Sequence, residues 1–424
     1  MTTLAAGDTD ATPLVVRSTA IPDPGPLLSL LPRSAPLAWV RKQQGLVGWG
    51  VAARVDTKGP GRFADAEDWW RALVADAVVR DEVDVPGSGL VAFGSFAFAD
   101  EPGASALVVP EVAVGRRGDT WWVTTIGRGA LAGVPDLTQA PGRLDPSEPP
   151  QDVVFVDGAR SGAEWESVVA DAVHRISGGS LEKVVLARDL VAESSNPVDV
   201  RWPLEQLVDS YPSCWTFHVE GLFGATPEML VRRERGLVTS RVLAGTIRPT
   251  GDDDHDLALA ASLARSSKDL EEHEYAVRSV ADALAPHCTS MNVPETPFVL
   301  HLPNVMHLAT DVTGVIDGDA PTTTALGLAS ALHPSAAVGG TPTAEAVALI
   351  DEIEGMERGR YAGPVGWIDA AGDGEWGIAL RCGEVDGARV RLFAGCGIVA
   401  DSDPEAELAE SQAKLVPVRD ALES

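Results

Sequence analysis

Two acidic segments near the middle and the end of the sequence hold residues whose types and spacing could bind a metal ion. Asp269 and Glu272 are three residues apart in SSKDLEEHEYAV, and Glu407, Glu410 and Lys414 follow an i, i+3, i+7 pattern in AELAESQAKL. Residues at these spacings share one face of an α-helix. Carboxylates without clustered His or Cys favour Mg²⁺. A solvated acidic face is the alternative, and it is common in so acidic a chain.

Lys183 and Glu228 are the candidate base and acid. Lys183 lies in the apolar run LEKVVLAR, where strand alternation puts it on one face with Val185 and Ala187. Burial disfavours an ammonium ion, so this amine could act as a base near neutral pH, unless it sits at a strand end and reaches solvent. Glu228, in GATPEML, could instead be a carboxylate at a turn or a helix start.

The motif Gly395-x-Gly397-x-x-Ala400 matches a dinucleotide-binding fingerprint and follows a predicted strand. The residues DSDP intervene before the next helix, and too few residues remain after it to complete a βαβ unit. We therefore reject dinucleotide binding. Glycines at a strand end indicate a turn or a close backbone approach to a ligand, and their amides could donate to a carboxylate. His273 could pack or assist a catalyst, since the histidines show no metal-ligand spacing.

Composition excludes several classes of function. Acidic residues outnumber basic ones 62 to 33 in 424 residues, a balance that repels nucleic-acid backbones. An anionic substrate would therefore need a locally cationic pocket. The sequence contains no run of about eighteen apolar residues, which argues against a membrane span. The four cysteines lack C-x-x-C spacing, which argues against disulfides and zinc.

The elements that would position these residues can be predicted from periodicity. Ser161 and Glu164 form a capping box before a helix over 162–177. Further helices are predicted over about 255–285 and over 404–416, the last with Asp403 as its cap and Pro417 as its end or kink. Predicted strands are LVAFGSFAF, TWWVTTIG, LEKVVLARDLVA, CWTFHVE, LVTSRVLAG, EWGIALRCGEV and ARVRLFAG. Because the strands do not alternate strictly with helices, we expect an α+β arrangement with large mixed or antiparallel sheets.

The ends and the middle of the chain suggest how it is divided. Residues 1–20 have no secretory signal, so we expect a disordered N-terminal tail and a cytoplasmic protein. The segment 139–152 is rich in Pro and charge and predicts a connector between residues 21–150 and 151–424. One large domain and two fused subdomains are both compatible with this length.

From about Ser161 to Lys414 the chain resembles the chorismate-utilising enzymes, which include isochorismate, salicylate, anthranilate and aminodeoxychorismate synthases. The matching segments, in order, are LEKVVLAR, GATPEML, VLAGTIR, SSKDLEEHE, MHLAT, ALHPSAAVGGTP, YAGPVGW, GEWGIALRCGEV, RLFAGCGIV and AELAESQAKL. The N-terminal third is only loosely similar. The resemblance implies one layered α/β domain over 21–424, with the fold of anthranilate synthase component I. In that fold, two large, mostly antiparallel sheets enclose the active site and the helices lie outside.

The resemblance also implies residue roles. Lys183 would activate water as a general base, and Glu228 would protonate the leaving hydroxyl. Glu272 and Glu410 would bind Mg²⁺, with Asp269 and Glu407 beside them, through water or as outer ligands. The implied substrate contacts are Gly245, Thr246, His307, Ala337, Tyr361, Arg381, Gly395, Gly397 and Lys414.

Residues that differ within the family indicate the reaction. Relatives that install nitrogen carry glutamine at the position of Lys183 or a nucleophilic lysine at the position of Ala244, so water is the expected nucleophile here. We therefore expect an isochorismate synthase, a Mg²⁺-dependent isomerase that adds water at C2 of chorismate and releases the C4 hydroxyl. Menaquinone synthesis is the expected pathway, with siderophore or salicylate supply as alternatives.

Two other functions remain open. A salicylate synthase would also expel pyruvate, but its relatives usually carry threonine where this chain has Ala337. Ala336 departs from the proline of many relatives. A catalytically silent chorismate-binding subunit is the non-enzymatic alternative, and the retention of Lys183, Glu228 and the two metal-ligand glutamates argues against it. We expect chorismate as the substrate, a monomer, and no glutamine amidotransferase, nucleic-acid or membrane partner.

Overall fold

The computed structural model describes residues 12–131, 133–179, 181–247, 250–301, 305–316 and 323–423. Within these ranges, the side chains of Pro141, Thr246, Asp253, Lys268 and Glu272 are not described. The α-helices are α1 (Arg62–Asp76), α2 (Pro141–Leu144), α3 (Gly162–Ser177), α4 (Arg201–Ser210), α5 (Asp253–Leu263), α6 (Ser267–Leu284), α7 (Ala325–Leu332), α8 (Thr343–Ile353) and α9 (Pro404–Glu423). Short 3₁₀ helices span Leu27–Leu30, Leu137–Gln139 and Ala285–His287. None of the helices in the described ranges is both long and apolar enough to cross a bilayer.

The strands form two large sheets. The first contains β1 (Leu14–Ala20), β2 (Pro36–Arg41), β3 (Gln44–Trp49), β5 (Val78–Asp81), β8 (Val112–Arg117), β9 (Thr120–Arg128), β10 (Val154–Asp157), β11 (Lys183–Glu193), β12 (Trp215–Val219), β13 (Leu222–Thr226), β19 (Gly340–Thr341), β22 (Cys382–Asp386) and β23 (Arg389–Ile398). The second contains β4 (Ala53–Thr57), β6 (Val91–Ser95), β7 (Ser105–Val109), β14 (Met229–Glu234), β15 (Leu237–Ile247), β16 (Ser290–Asn292), β17 (Phe298–His301), β18 (Met306–Val315), β20 (Pro364–Asp369) and β21 (Gly374–Ile378).

Both sheets mix strands from the two ends of the chain. The order in the first sheet is β10-β11-β23-β22-β13-β12-β2-β3-β8-β9-β1-β5, with β19 paired to β11. The order in the second is β16-β18-β15-β14-β21-β20-β6-β7-β4, with β17 paired to β18. The described pairs are antiparallel except for β1 with β5. The α+β prediction with large, mostly antiparallel sheets is confirmed.

The N-terminal strands complete the core. Trp39 of β2 pairs with Phe217 of β12, and Phe93 of β6 pairs with Trp367 of β20. All four aromatic side chains are buried in one hydrophobic cluster. The loosely similar N-terminal third thus contributes strands to both sheets, and their burial holds the later strands in place.

Several predicted helix boundaries match the structure. The capping box at Ser161 and Glu164 is present, and α3 spans the predicted residues. Asp403 caps α9 by accepting a hydrogen bond from the backbone N–H of Ala406 at 2.9 Å. Capping depends on residues within one turn of each other, which is why the sequence predicts it well.

Four sequence predictions are wrong. Residues 1–20 were expected to be disordered, but Leu14–Ala20 form a strand because Leu14 and Val16 are buried against the core. The helix expected over 255–285 is two helices, since the Ser266 side chain caps a new start at α6. Helix α9 continues past Pro417, whose ring is buried with Leu415 and Val418. This packing outweighs the loss of one backbone hydrogen bond.

The fourth correction concerns the run EWGIALRCGEV, which was predicted as one strand. It forms β21 and β22, separated at Ala379–Arg381. The Ala379 N–H donates to the carbonyl of Gly363 at 2.9 Å, and Arg381 has a φ of 48°. The chain therefore leaves one sheet and enters the other at this point, and Arg381 lies at the crossing.

Candidate functional site

A cavity of about 510 Å³ contains the candidate residues from distant parts of the chain. Its walls come from β11, β15, β18, β23, α6, α9 and the loops beside them. The predicted site residues that line it are Lys183, Glu228, Gly245, Asp269, His307, Ala337, Tyr361, Arg381, Gly395, Gly397, Glu407, Glu410 and Lys414. The predicted ligand Glu272 and the predicted contact Thr246 have side chains outside the described set.

Lys183 begins β11 and is half-buried, with its side chain lying across Gly397 of β23. A Cβ atom at Gly397 would lie 2.6 Å from Lys183 Cε and 3.2 Å from Nζ. The pairing of β11 with β23 sets this approach, because Val185 lies opposite Gly397. Glycine at 397 therefore leaves the space that the amine occupies, which is the close approach expected of a glycine at a strand end.

Gly395 likewise leaves the space that the Tyr361 side chain occupies. A Cβ atom there would lie 2.8 Å from the Tyr361 hydroxyl oxygen. The ring of Tyr361 stacks on Phe393, with centroids 5.1 Å apart and planes 9° apart. Lys414 Nζ donates to the carbonyl oxygen of Gly395 at 2.9 Å. A phenol, an amine and a glycine-lined backbone thus meet at one wall.

Glu228 lies between β13 and β14 at the end of two sheets. Its N–H donates to Thr226 Oγ1 at 3.2 Å, and its carbonyl accepts from the Ile378 N–H at 3.2 Å. The side chain is 7% exposed. Burial raises the pKa of Glu228 to about 7, against the opposing effects of Arg381, Lys183 and Lys414. A carboxyl group that is still protonated near neutral pH can donate a proton to a leaving group.

His307 and Gly245 occupy the wall formed by β15 and β18. Gly245 has a φ of 76° and sits at a bulge between the two strands. Its absent Cβ would lie 3.3 Å from the Cβ of Asp269. Burial, Arg381 and Lys414 lower the pKa of His307 to about 3, so its imidazole is neutral. The other histidine noted in the sequence, His273, is buried with Nε2 2.7 Å from Thr310 Oγ1 and does not line this cavity.

The acidic residues of the cavity have a donor set that fits a hard divalent cation. Carboxylate oxygens of Glu407 and Glu410 and the sulfur of Cys396 lie within 4.8 Å of one another. Burial raises the pKa of the Cys396 thiol to about 12, so it remains protonated and a poor ligand. Burial and the nearby Glu410 raise the pKa of Glu407. Glu407 and Glu410 are left as a pair of carboxylates, the oxygen ligands that Mg²⁺ prefers, and Asp269 lines the same cavity outside that group.

The cations of the cavity are Lys183, Arg358, Arg381 and Lys414. Lys414 is paired with Glu410 at 2.6 Å, one turn away on α9. These four cations lie among six carboxyl groups of the described lining, so they supply local points of positive charge and do not make the cavity cationic as a whole. An anionic ligand would bind at those points.

Sequence reasoning missed the buried ion pair of Arg358 and Glu354 at the edge of the cavity. Arg358 donates to Glu354 at 2.8 and 2.6 Å, and also to the carbonyls of Val338 at 2.9 Å and Val185 at 2.7 Å. Glu354 in turn accepts from the Ala187 N–H at 2.7 Å. The pair links β11 to the loop that contains Ala337. The i, i+4 spacing of opposite charges was the available signal, but it is usually a surface feature.

Comparison with known proteins shows the family to which this chain belongs. A family model described as "Chorismate binding enzyme" matches residues 34–423. The salicylate biosynthesis isochorismate synthase of Pseudomonas aeruginosa is 34% identical over 409 residues, which cover 91% of this chain and 84% of that protein. The isochorismate synthase MenF of Bacillus subtilis is 36% identical over 263 residues, or 61% of this chain.

The alignment with the Bacillus subtilis protein spans 55% of that relative's length. The structure of MenF, the menaquinone-specific isochorismate synthase from Escherichia coli, superposes with a TM-score of 0.79 at 22% identity. That superposition covers 97% of this chain and 95% of the other, and it shows a shared fold. With the family model matching almost the whole described chain, this protein belongs to the chorismate binding enzyme family.

Proposed function

We propose that this protein is an isochorismate synthase, which converts chorismate to isochorismate. The observation that carries the proposal is that Lys183 and Glu228, 45 positions apart in sequence, line one cavity together with Arg381 and Lys414. The relatives named above as isochorismate synthases support the same activity. The amine and the carboxyl group supply a base and an acid, and the cations suit a substrate with two carboxylates.

The proposed reaction needs one proton taken and one given. Lys183 accepts a proton from water as the new C–O bond forms at C2 of the ring. Both double bonds of the ring shift by one position and the C4–O bond breaks. Glu228 gives its proton to the departing hydroxyl, so one water enters and one leaves. A protonated Glu228 near pH 7 is consistent with this role.

The other predicted contacts position the substrate in this proposal. Arg381 and Lys414 attract its carboxylates, and the backbone at Gly395 and Gly245 allows close approach. Tyr361 and the neutral His307 offer hydrogen bonds beside the ring. Ala337 leaves room at the loop.

Mg²⁺ is the proposed cofactor. Glu410 and Glu272 would bind it, with Asp269 and Glu407 beside them, and the carboxylates described above fit a hard cation. When bound, the ion would neutralise a substrate carboxylate. The protein's own residues would orient the ring and transfer the protons.

Menaquinone synthesis is the proposed pathway, in a single domain over 21–424 that acts without an amidotransferase, since water rather than ammonia is the nucleophile. The deciding experiment incubates the pure protein with chorismate and Mg²⁺ and follows products by chromatography and salicylate fluorescence. Isochorismate without salicylate or pyruvate is expected. Salicylate with pyruvate would indicate a salicylate synthase instead.

The test variant is Lys183→Ala. Its control is Lys42→Ala, at an exposed position. Loss of a general base should lower kcat by about 10²-fold or more, whereas the surface change should have no effect. If the wild-type protein binds chorismate but forms no product, the silent-subunit alternative is correct.

A further inference from the structure

A second cavity, of about 270 Å³, adjoins the main one at Lys183. Both cavities are lined by Lys183, Ala244, Ala337 and Val399. The remaining walls of the second cavity come from α6, from β19 and the loop before it, and from the residue that precedes β11. The base therefore stands at a junction between two spaces.

Exposure changes along this second cavity. Glu182, Glu271 and Tyr275 are exposed, Tyr275 by 45%. Ala244 and Ala276 are each 9% exposed. The cavity thus leads from an exposed mouth to a less exposed junction with the main cavity, where Ala244 is buried and Lys183, Ala337 and Val399 are half-buried. Its volume is sufficient for several water molecules.

The proposed reaction creates a need for such a passage. A flat ring held between Lys183 and Glu228 separates the two faces of the main cavity. Water must reach the face next to Lys183 while the ring is in place. The second cavity opens on that side, because its walls include Lys183 but not Glu228.

Charge and shape make this passage selective. Two carboxylates, Glu182 and Glu271, line its mouth, and they repel a dianion but not water. The walls also include Ala336 and Ala276, whose small side chains leave the lumen open. The main cavity also has carboxyl groups, but unlike the second cavity it offers Arg381 and Lys414 as partners for the carboxylates of a dianion.

We propose that the second cavity is the water inlet of the enzyme, which delivers the attacking water to Lys183 while chorismate occupies the main cavity. The inference rests on the proposed isochorismate synthase activity. It gives the acidic mouth a function, since substrate and water enter through separate openings.

The proposed water inlet can be tested by attaching a bulky group at its mouth and then removing it. Tyr275→Cys places a thiol at the mouth, and benzyl methanethiosulfonate then attaches a bulky group through a mixed disulfide that dithiothreitol removes. Ser279→Cys, an exposed position farther along α6 that lines neither cavity, is the matched control. Wild type receives the same treatment because Cys288 is partly exposed. Labelling follows folding, so it does not depend on whether a bulky variant folds.

The expected result is a fall in kcat of about tenfold or more for labelled Tyr275→Cys, with the KM for chorismate unchanged and full recovery after reduction. Labelled Ser279→Cys should keep its activity. An unchanged kcat for labelled Tyr275→Cys would overturn the proposal of a water inlet. A rise in KM alone would also overturn it, because this opening would then be the entrance for chorismate.

Wild-type turnover in H₂¹⁸O separates this inference from the proposed function. Isochorismate carrying one solvent oxygen supports water attack. If no isochorismate forms, or if it carries no solvent oxygen, the proposed function itself fails. If the label is incorporated but the bulky group has no effect, only the inlet fails.

Discussion

Replacement of Glu228 by glutamine should make the protein more stable and less active at the same time. The carboxyl group is buried, and burial raises its pKa from 4.5 to about 7. A raised carboxyl pKa means that the folded state holds its proton more tightly than the unfolded state. Stability should therefore fall as pH rises from about 4.5 to about 7, because the unfolded chain releases the proton first.

The size of the effect follows from that difference. At 1.36 kcal/mol per pKa unit, the change from 4.5 to about 7 corresponds to about 3 kcal/mol of unfolding free energy above pH 7. Glutamine has nearly the same shape and no charge, so it should recover that amount at pH 8 and little at pH 4.5. The same change removes the proposed proton donor and should lower kcat by about 10²- to 10⁴-fold.

The assay is urea unfolding of wild type and Glu228→Gln at pH 4.5 and pH 8, together with chorismate turnover at pH 7. Glu295→Gln serves as the control, since Glu295 is exposed in a loop. A variant with no gain of stability at pH 8 would show that burial does not penalise the charged carboxylate. A variant with normal turnover would show that Glu228 is not the acid.

Three further predictions concern the walls of the cavity. Gly397→Ala should lower kcat by about tenfold or more, with a folded protein by circular dichroism, because the new methyl group would meet the Lys183 side chain at 2.6 Å. Glu410→Gln should greatly weaken Mg²⁺ dependence and activity, measured by magnesium titration, and ordinary turnover would instead mark the acidic stripe as a solvated face. Glu354→Gln should destabilise the fold by about 3 kcal/mol in thermal or urea unfolding, because Arg358 would remain buried without its anion; a stability close to wild type would contradict this.

Local sequence patterns predicted the elements of the site well. The strand that begins at Lys183 follows from its short apolar run, which is buried on both faces, and the starts of α3 and α9 follow from the capping residues Ser161 and Asp403. Each of these signals lies within a few residues of the feature it predicts. The resemblance to a known family then supplied the fold class, which the two sheets and the superposed structure confirm.

The features that close the cavity were harder to predict because they depend on distant partners. The break at Arg381 occurs where the chain crosses between sheets, and no residue near it signals the change. Helix α9 continues through Pro417 because its far side is buried against other elements. Leu14–Ala20 becomes a strand only because β9 and β5 are there to pair with it. In each case tertiary packing overrode the local preference.

The electrostatics of the cavity predict how substrate binding should change the acid. In the free protein, Arg381, Lys183 and Lys414 oppose the effect of burial on Glu228 and keep its pKa near 7. A bound dianion would pair with Arg381 and Lys414 and exclude water, and both effects favour the protonated carboxyl group. The pKa of Glu228 should therefore be higher in the complex than in the free enzyme. Since kcat/KM reports the free enzyme and kcat the complex, the alkaline limb of the kcat profile should lie at higher pH. Steady-state kinetics between pH 6 and pH 9 would measure both limbs, and a kcat limb at lower pH would contradict the assignment of Glu228 as the proton donor.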